Sequence, residues 1–277
     1  MGWSEIENAK GVAVITGGAS GVGLAAGELL AKRGFDILLA DRDAAALEQA
    51  AGQIAALTAK VDTAVTDVSD PAAMNALADQ AFEMGGVAVL MNNAGIGIGS
   101  SAWAEPEAWR KTFDVNFFGV VNGVQAFVPR MVEANRPACV INTGSKQGIT
   151  TPPGNPAYNA SKAAVKVLTE QLAHELREAG APIDAHLFVP GFTYTGMIAA
   201  HFSEKPDGAW TSEECVEYLF GAVADGVFYV LCPDNMVTEE IDAKRVIWAA
   251  QDVAERRPAL SRWHPDWKEK FSAFEGK

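Results

Sequence analysis

The chain has 277 residues, 49% of them hydrophobic, and a formal net charge of −13 from 22 basic and 35 acidic side chains. That length suits one large α/β domain or two small ones, with enough apolar side chains to fill a sizeable core. The acidic balance argues against nucleic acid and anionic membranes as partners, since both recruit Lys and Arg clusters, and leaves a self-repelling soluble surface as the simplest reading.

The amino terminus, Met1-Gly2-Trp3-Ser4-Glu5-Ile6-Glu7, lacks the basic and apolar regions of a signal peptide, and no apolar run is long enough to span a bilayer. Short apolar runs then recur with helical segments between them. They are Val12–Ile15, Phe35–Leu39, Thr63–Val65, Val87–Met91, Cys139–Ile141 and Ala185–Val189. Continuous runs of this kind predict strands buried on both faces, as in a parallel sheet. Between them, Ala44 to Leu57 and Ala72 to Met84 are rich in helix formers, and Asp70-Pro71 starts the second with an N-cap and a first-turn proline. The alternation predicts a doubly wound α/β sheet with right-handed crossovers. With no linker, repeat or low-complexity tract, residues 1–277 read as one domain.

The last third is less regular. Helices are expected over Glu213 to Val223 and Glu239 to Arg256, with a seventh strand, Val227–Leu231, between them and closed by Pro233. The aromatic tail Trp263-His264-Pro265-Asp266-Trp267 is expected to pack on its own subunit or on a neighbour. Cys139, Cys215 and Cys232 form no Cys-x-x-Cys pair; buried reduced thiols and a cytoplasmic location are expected. His174, His186, His201 and His264 have no metal-ligand spacing, so core or surface positions and no metal are expected.

The first strand runs into Thr16-Gly17-Gly18-Ala19-Ser20-Gly21-Val22-Gly23-Leu24, with glycines at G-x-x-x-G-x-G spacing. Such a loop, between a strand and a helix, lets backbone N–H groups approach a pyrophosphate without Cβ clashes. Asp41, at the end of the second strand, can accept hydrogen bonds from the adenosine ribose and repel a 2′-phosphate. That favours NAD. The neighbouring Arg42 is of the kind that holds a 2′-phosphate, so NADP stays open, but no basic residue stands inside the loop itself.

Tyr158 and Lys162 sit four residues apart at the start of another helical run, on one helix face. A fixed ammonium favours the phenolate, which fits a tyrosine for proton transfer near neutral pH. Alone this pair is a weak signal; after a dinucleotide-type glycine loop the combination is specific.

With these residues assembled, the chain resembles the short-chain dehydrogenase/reductase family over roughly residues 10 to 195. The resemblance implies further roles. Asp67-Val68 looks like the pair that holds the adenine ring. Asn92-Asn93-Ala94-Gly95 looks like the family's Asn-Asn-Ala-Gly motif, which supports the sheet and lies along the cofactor. Asn116 falls in the helix that carries the family's catalytic asparagine, and Ser145 precedes Tyr158 by the 13 residues expected of the substrate-orienting serine. In Pro190-Gly191-Phe192-Thr193-Tyr194-Thr195, the backbone of Val189 or Phe192 and the Thr195 hydroxyl would meet the nicotinamide amide. A sheet of seven parallel strands is implied, as is a homo-oligomer, commonly a tetramer, in which the helices of Asn116 and Tyr158 share a four-helix interface. Two features depart from the family pattern: Lys146 beside Ser145, facing the substrate mouth or solvent, and a carboxyl-terminal extension from about residue 234.

The chemistry implied is interconversion of a secondary alcohol and a ketone with a nicotinamide cofactor. Tyr158 is the acid–base, Lys162 stabilises its phenolate and holds the nicotinamide ribose, Ser145 orients the substrate oxygen, and Asn116 anchors a water leading to solvent. A 3-oxoacyl thioester, a terpenoid or steroid-like ketone and an aryl alcohol all fit. A dinucleotide-binding module without turnover is the other class; it needs only the cofactor half of these residues. Residues from 193 to about 225 are expected to shape the substrate site, with 193–212 forming either a mobile lid or a helical hairpin covered by the tail. Trp103, Trp109, Phe192, Tyr194, Phe202 and Trp210 read as core or as walls of an apolar pocket.

Overall fold

The computed structural model describes residues 2–57, 60–199, 202 and 204–276; His201 lies outside the described residues, as do the side chains of Met197 and Ile198. The strands are β1 (Val12–Thr16), β2 (Asp36–Asp41), β3 (Val61–Val65), β4 (Val87–Asn92), β5 (Ala138–Thr143), β6 (Ile183–Val189) and β7 (Tyr229–Leu231). The helices up to the middle of the chain are α1 (Trp3–Ala9), α2 (Gly21–Lys32), α3 (Ala44–Ala55), α4 (Pro71–Met84), α5 (Pro106–Phe113) and α6 (Gly119–Ala134). They are followed by α7 (Gln147–Thr150), α8 (Pro156–Glu178), α9 (Gly196–Ala199), α10 (Ser212–Ala224), α11 (Glu239–Ala254) and α12 (Lys268–Glu275).

The seven strands form one parallel sheet in the order β3-β2-β1-β4-β5-β6-β7. The expected doubly wound architecture is therefore present, and each expected strand and helix appears with its ends moved by a few residues. Alternate side chains of each strand point to opposite faces. Ile15, Leu39, Met91 and Ile141 pack with α1, α2, α3 and α10 on one face; Val14, Leu38, Leu90 and Val140 pack with α4, α6 and α8 on the other. The helix starts follow local chemistry. Asp43, Asp70, Asn155, Thr211 and Thr238 each accept a backbone N–H from the first turn of the helix that follows.

One expectation needs correction. The outer strand β3 is not buried on both faces: Val65 is 67% exposed and Asp62 also faces solvent, at the edge of the sheet. The helix α1 was not expected from the sequence; at seven residues it is too short to show a period, yet it buries Trp3 and Ile6 against Phe35 and Phe220.

Beyond β7 the chain builds a side wall. Helix α11 packs against α7, and the aromatic tail folds back on α11, with Trp248 in ring contact with Trp267, Phe271 and Phe274. The segment after β6 is tied at its base: Thr193 bridges to Trp210, Trp210 N donates to Phe192 O (2.9 Å) and Tyr194 N to Trp210 O (2.8 Å). All three cysteines are buried free thiols. No helix among the described residues is long and apolar enough to cross a membrane.

Candidate active site

The strand order reverses between β1 and β4, and in open parallel sheets the carboxyl-end crevice at that point receives the ligand. Two clefts open there. One, of about 310 Å³, is lined by Gly17, Asp41, Arg42, Thr66, Asp67, Val68 and Gly95 among others. The other, of about 930 Å³, runs from Gly17, Ser20, Gly21 and Val22 past Asn93, Ala94 and Gly95 to Ser145, Lys146, Tyr158, Lys162, Pro190, Phe192, Thr195 and Arg245.

The wall between the sheet halves is built by polar groups. Thr16 Oγ1, at the end of β1, accepts from Asn93 N (2.9 Å) and Ala94 N (3.1 Å), while Asn93 Nδ2 donates to Thr16 O (3.1 Å). One residue earlier Asn92 Nδ2 donates to Asn142 Oδ1 (2.8 Å), and Asn142 Nδ2 to Thr169 Oγ1 on α8 (3.1 Å). Buried polar groups demand partners, so this chain fixes the ends of β1, β4 and β5 against one another. A Cβ on Gly23 would collide with the carbonyl oxygen of Gly17, so this glycine serves the close strand-to-helix turn. The Asp41 carboxylate accepts from Ala19 N (3.3 Å) and Asp43 N (3.2 Å), which holds it over the glycine loop, and Arg42 is exposed. Asp67 accepts from Ser69 N (2.9 Å) and Ser69 Oγ (2.7 Å), and those bonds hold its carboxyl below the ordinary range. It is a turn residue and a cleft residue at once.

At the inner end, Lys162 is 3% exposed and its Nζ donates to Thr143 O at 2.8 Å. Burial pulls this ammonium down to about 8. Its Nζ stands 5.9 Å from the centre of the Tyr158 ring. The expected depression of the Tyr158 phenol is not met in this site. Burial pushes the phenol above its ordinary value, and a hydrogen bond with Ser145 opposes that push. Ser145 Oγ also accepts from Gln147 N (3.2 Å), which orients the hydroxyl from the first turn after β5.

Asn116 is fully buried in a π-helical stretch, Asp114–Phe118, between α5 and α6. Such stretches turn one side chain away from the regular helical face. Here Oδ1 accepts from Ile96 N (2.8 Å) and Nδ2 donates to Ile96 O (2.9 Å), so the amide clamps the strand of chain that follows Gly95. Seen from Gly95, a Cβ would stand 3.4 Å from Asn116 Oδ1 and 3.6 Å from Lys162 Nζ, which places the two around one point.

The structure brings the sequence-predicted residues to these clefts except Gly23 and Asn116, which are buried behind the walls and line neither. Pro190, Gly191, Phe192, Thr193 and Thr195 line the larger one; Thr195 also precedes α9 and its Cβ lies against Gly21. Of the six aromatics weighed as pocket walls, Phe192 lines the cleft, whereas Trp103 is 91% exposed. Lys146 points neither freely to the mouth nor to solvent: its Nζ is 2.6 Å from Asp242 and 3.5 Å from Asp234. Asp234, Asp242 and Arg245 were not read from the sequence. Acids and bases in a loop and helix beyond the last strand look like a solvated surface, and only the fold of the carboxyl-terminal wall brings Asp234 and Arg245 to the cleft, with Asp242 behind them on Lys146.

A family model of the short chain dehydrogenases matches residues 11–206. The chain is 32% identical to 1-deoxy-11-beta-hydroxypentalenate dehydrogenase of Streptomyces exfoliatus over 258 residues, 91% of this chain and 93% of the relative. It is 38% identical to L-2,3-butanediol dehydrogenase of Corynebacterium glutamicum over 215 residues, 75% and 82% of the two chains. A solved short chain dehydrogenase/reductase from Burkholderia phymatum in complex with NAD superposes with a TM-score of 0.82 at 35% identity, covering 90% of this chain and 95% of that one. With that match over most of its length and the sheet it describes, the chain belongs to the short-chain dehydrogenase family of oxidoreductases.

Proposed function

We propose that this protein interconverts a secondary alcohol and a ketone using a nicotinamide dinucleotide, with NAD preferred over NADP. The observation that carries the reading is the meeting of Ser145, Tyr158 and Lys162 in the same cleft as the glycine loop. The residues fit such a cofactor. The loop offers glycines at 17, 21 and 23 with Ser20 and Val22, Asp41 and Arg42 sit where an adenosine ribose would lie, and Asp67 and Val68 stand where its base would lie. Asn93, Ala94 and Gly95 would follow the cofactor inward, and Pro190 to Thr195 would meet its nicotinamide end. The relatives named for hydroxypentalenate and butanediol dehydrogenation, and the solved relative in complex with NAD, support the same reading.

When bound, the nicotinamide supplies the hydride acceptor or donor. The chain does the rest. Ser145 holds the substrate oxygen by a hydrogen bond, and Tyr158 takes the proton from that oxygen, or returns it to a ketone. Lys162, beside the ring, stabilises the phenolate as it forms and would hold the nicotinamide ribose. Asn116 keeps Ile96 in place through both ends of its amide, and a water donating to its Oδ1 would connect the Lys162 ammonium to solvent.

A panel of secondary alcohols and ketones, followed by absorbance of the reduced cofactor, tests the reading. Turnover with at least one of them is expected. Tight dinucleotide binding with no turnover on any would instead indicate a binding module. Titrating both dinucleotides tests the preference: Asp41, held on the loop by Ala19 N, meets a 2′-phosphate as a like charge. Equal or tighter NADP binding would assign the site to Arg42.

The exposed apolar side chains Phe118 and Val167 lie on the π-helical stretch and on α8, which pack together. They support assembly into a homodimer or homotetramer through these helices.

A further inference from the structure

The charges at the substrate end of the larger cleft are those of Lys146, Asp234 and Arg245. Each acid there and behind it is already engaged. Asp234 Oδ1 accepts from Met236 N (3.0 Å) and Val237 N (2.8 Å); its Oδ2 accepts from Phe192 N (3.2 Å) and faces Lys146. Asp242, one helical turn before Arg245 on α11, pairs with Lys146 at 2.6 Å. Residues three apart share a helix face, so Arg245 stands beside this pair, next to the turn that carries Ser145.

Arg245 is held from behind. Its Nε donates to Glu275 Oε1 at 2.8 Å, and the Glu275 side chain is 3% exposed. The Arg245–Glu275 contact is made through Nε, and no hydrogen bond among the described residues engages Arg245 Nη1 or Nη2. Arg245 lines the cleft with a side chain that is 17% exposed, and neither nitrogen is among the fully buried atoms that lack a partner. A guanidinium stays charged at any working pH and presents a planar fork that matches a carboxylate with two parallel hydrogen bonds. One anchored nitrogen also lowers the rotamer entropy lost when the other two bind.

We infer that Arg245 selects substrates bearing a carboxylate: the hydroxyl or carbonyl is held at Ser145 and Tyr158 while the carboxylate at the far end is received by the Arg245 fork, with the Lys146 ammonium beside it. The substrate class is a hydroxy acid and its oxo acid. This rests on the alcohol–ketone reading of the site. A neutral alcohol placed there offers Arg245 Nη1 and Nη2 no charged acceptor, and the guanidinium keeps Glu275 alone.

The test compares hydroxycyclohexanecarboxylates with their methyl esters, by initial rates with NAD. Wild-type protein is expected to favour the acid in kcat/KM by about tenfold or more, the scale of one well-placed charge pair. In Arg245→Met the acid-to-ester ratio should fall by about that factor, through KM rather than kcat, and Arg245→Lys should restore part of it. A wild-type preference for the ester, or a ratio unmoved in Arg245→Met, overturns the inference. Since loss of the Glu275 anchor could disturb α12, direct binding gives a second arm. Calorimetry with oxocyclohexanecarboxylate and its methyl ester on the protein with reduced cofactor should register the acid as the tighter ligand. That arm also separates the two readings: no turnover of any alcohol defeats the proposed function, whereas equal binding of acid and ester, or binding of neither, defeats the carboxylate site.

Discussion

A phenol and an ammonium share one dry pocket, and each is shifted toward its neutral form by the same burial. The proton-transfer role needs only the Tyr158 hydroxyl, so Tyr158→Phe should lower kcat by about 10²–10⁴-fold while the dinucleotide dissociation constant stays within about twofold. Stopped assays and fluorescence titration check both, and activity within threefold of wild type would remove Tyr158 from the mechanism. Lys162 carries a stability signature with a definite sign. Its folded value near 8 lies below the ordinary lysine value, so between about pH 8 and 10 the unfolded chain binds the extra proton and the folded one does not. Burial of the charge is a full cost below pH 8 that is relieved as pH rises. Urea unfolding should thus show the stability difference between wild type and Lys162→Met moving in favour of wild type across that window, by at most about 1.4 kcal/mol per pH unit. A flat difference would mean that Lys162 is not desolvated. At this scale the sequence was informative where a motif couples spacing to chemistry, as in Tyr158 with Lys162. It was silent on Thr143, whose carbonyl holds Lys162, because a backbone acceptor leaves no residue-type signal.

Helix α7 has four residues, too few for any period to be read, yet it sets the distance between two halves of the site. It begins two residues after Ser145 and lies on α8 at Lys162, in the second turn of that helix. A Cβ on Gly148 would stand 2.5 Å from the backbone carbon of Lys162 and 2.7 Å from its oxygen. Backbone cannot swing aside as a long side chain can. Gly148→Ala should therefore push α7 off α8, separate Ser145 from Tyr158, and cost about 1–3 kcal/mol of stability together with at least tenfold in kcat. A urea titration and a rate measurement with unchanged values would show that α7 gives way freely. The longer elements were legible for reasons the structure bears out. Asp70 caps α4 through Ala72 N at 2.8 Å with Pro71 in the first turn, and the Ala-rich run beyond it buries Met74, Leu77, Ala78 and Ala81. Strand β3 shows the limit of apolar runs as a guide. Its side chains are only partly covered, and the run alone does not tell an edge strand from an inner one.

Alternating strands and helices fix a parallel sheet, but not which strand stands at the edge; the order came from the fold. The carboxyl-terminal wall was the least legible part of the whole. Its contacts run between segments far apart in the chain, such as Lys146 with Asp242 and Arg245 with Glu275, and ordinary surface residue types make them. Assembly is the remaining property at this scale. Scattered exposed apolar side chains are normal on a monomer, so single cases mean little. Phe118, 48% exposed, and Val167, 55% exposed, are different because the elements that carry them pack against each other. Those same elements carry Asn116 and Tyr158, so covering them would stiffen the site. Sedimentation of the wild-type protein at micromolar concentration is expected to give two or four times the monomer mass. Phe118→Glu with Val167→Glu places charges where each copy would meet its mate, and burying unpaired charge costs several kcal/mol per pair, enough to dissociate an interface of ordinary size. The double variant should sediment as a monomer with unchanged dinucleotide binding. A wild-type monomer, or a double variant that keeps the wild-type mass, would rule this face out as the contact between copies.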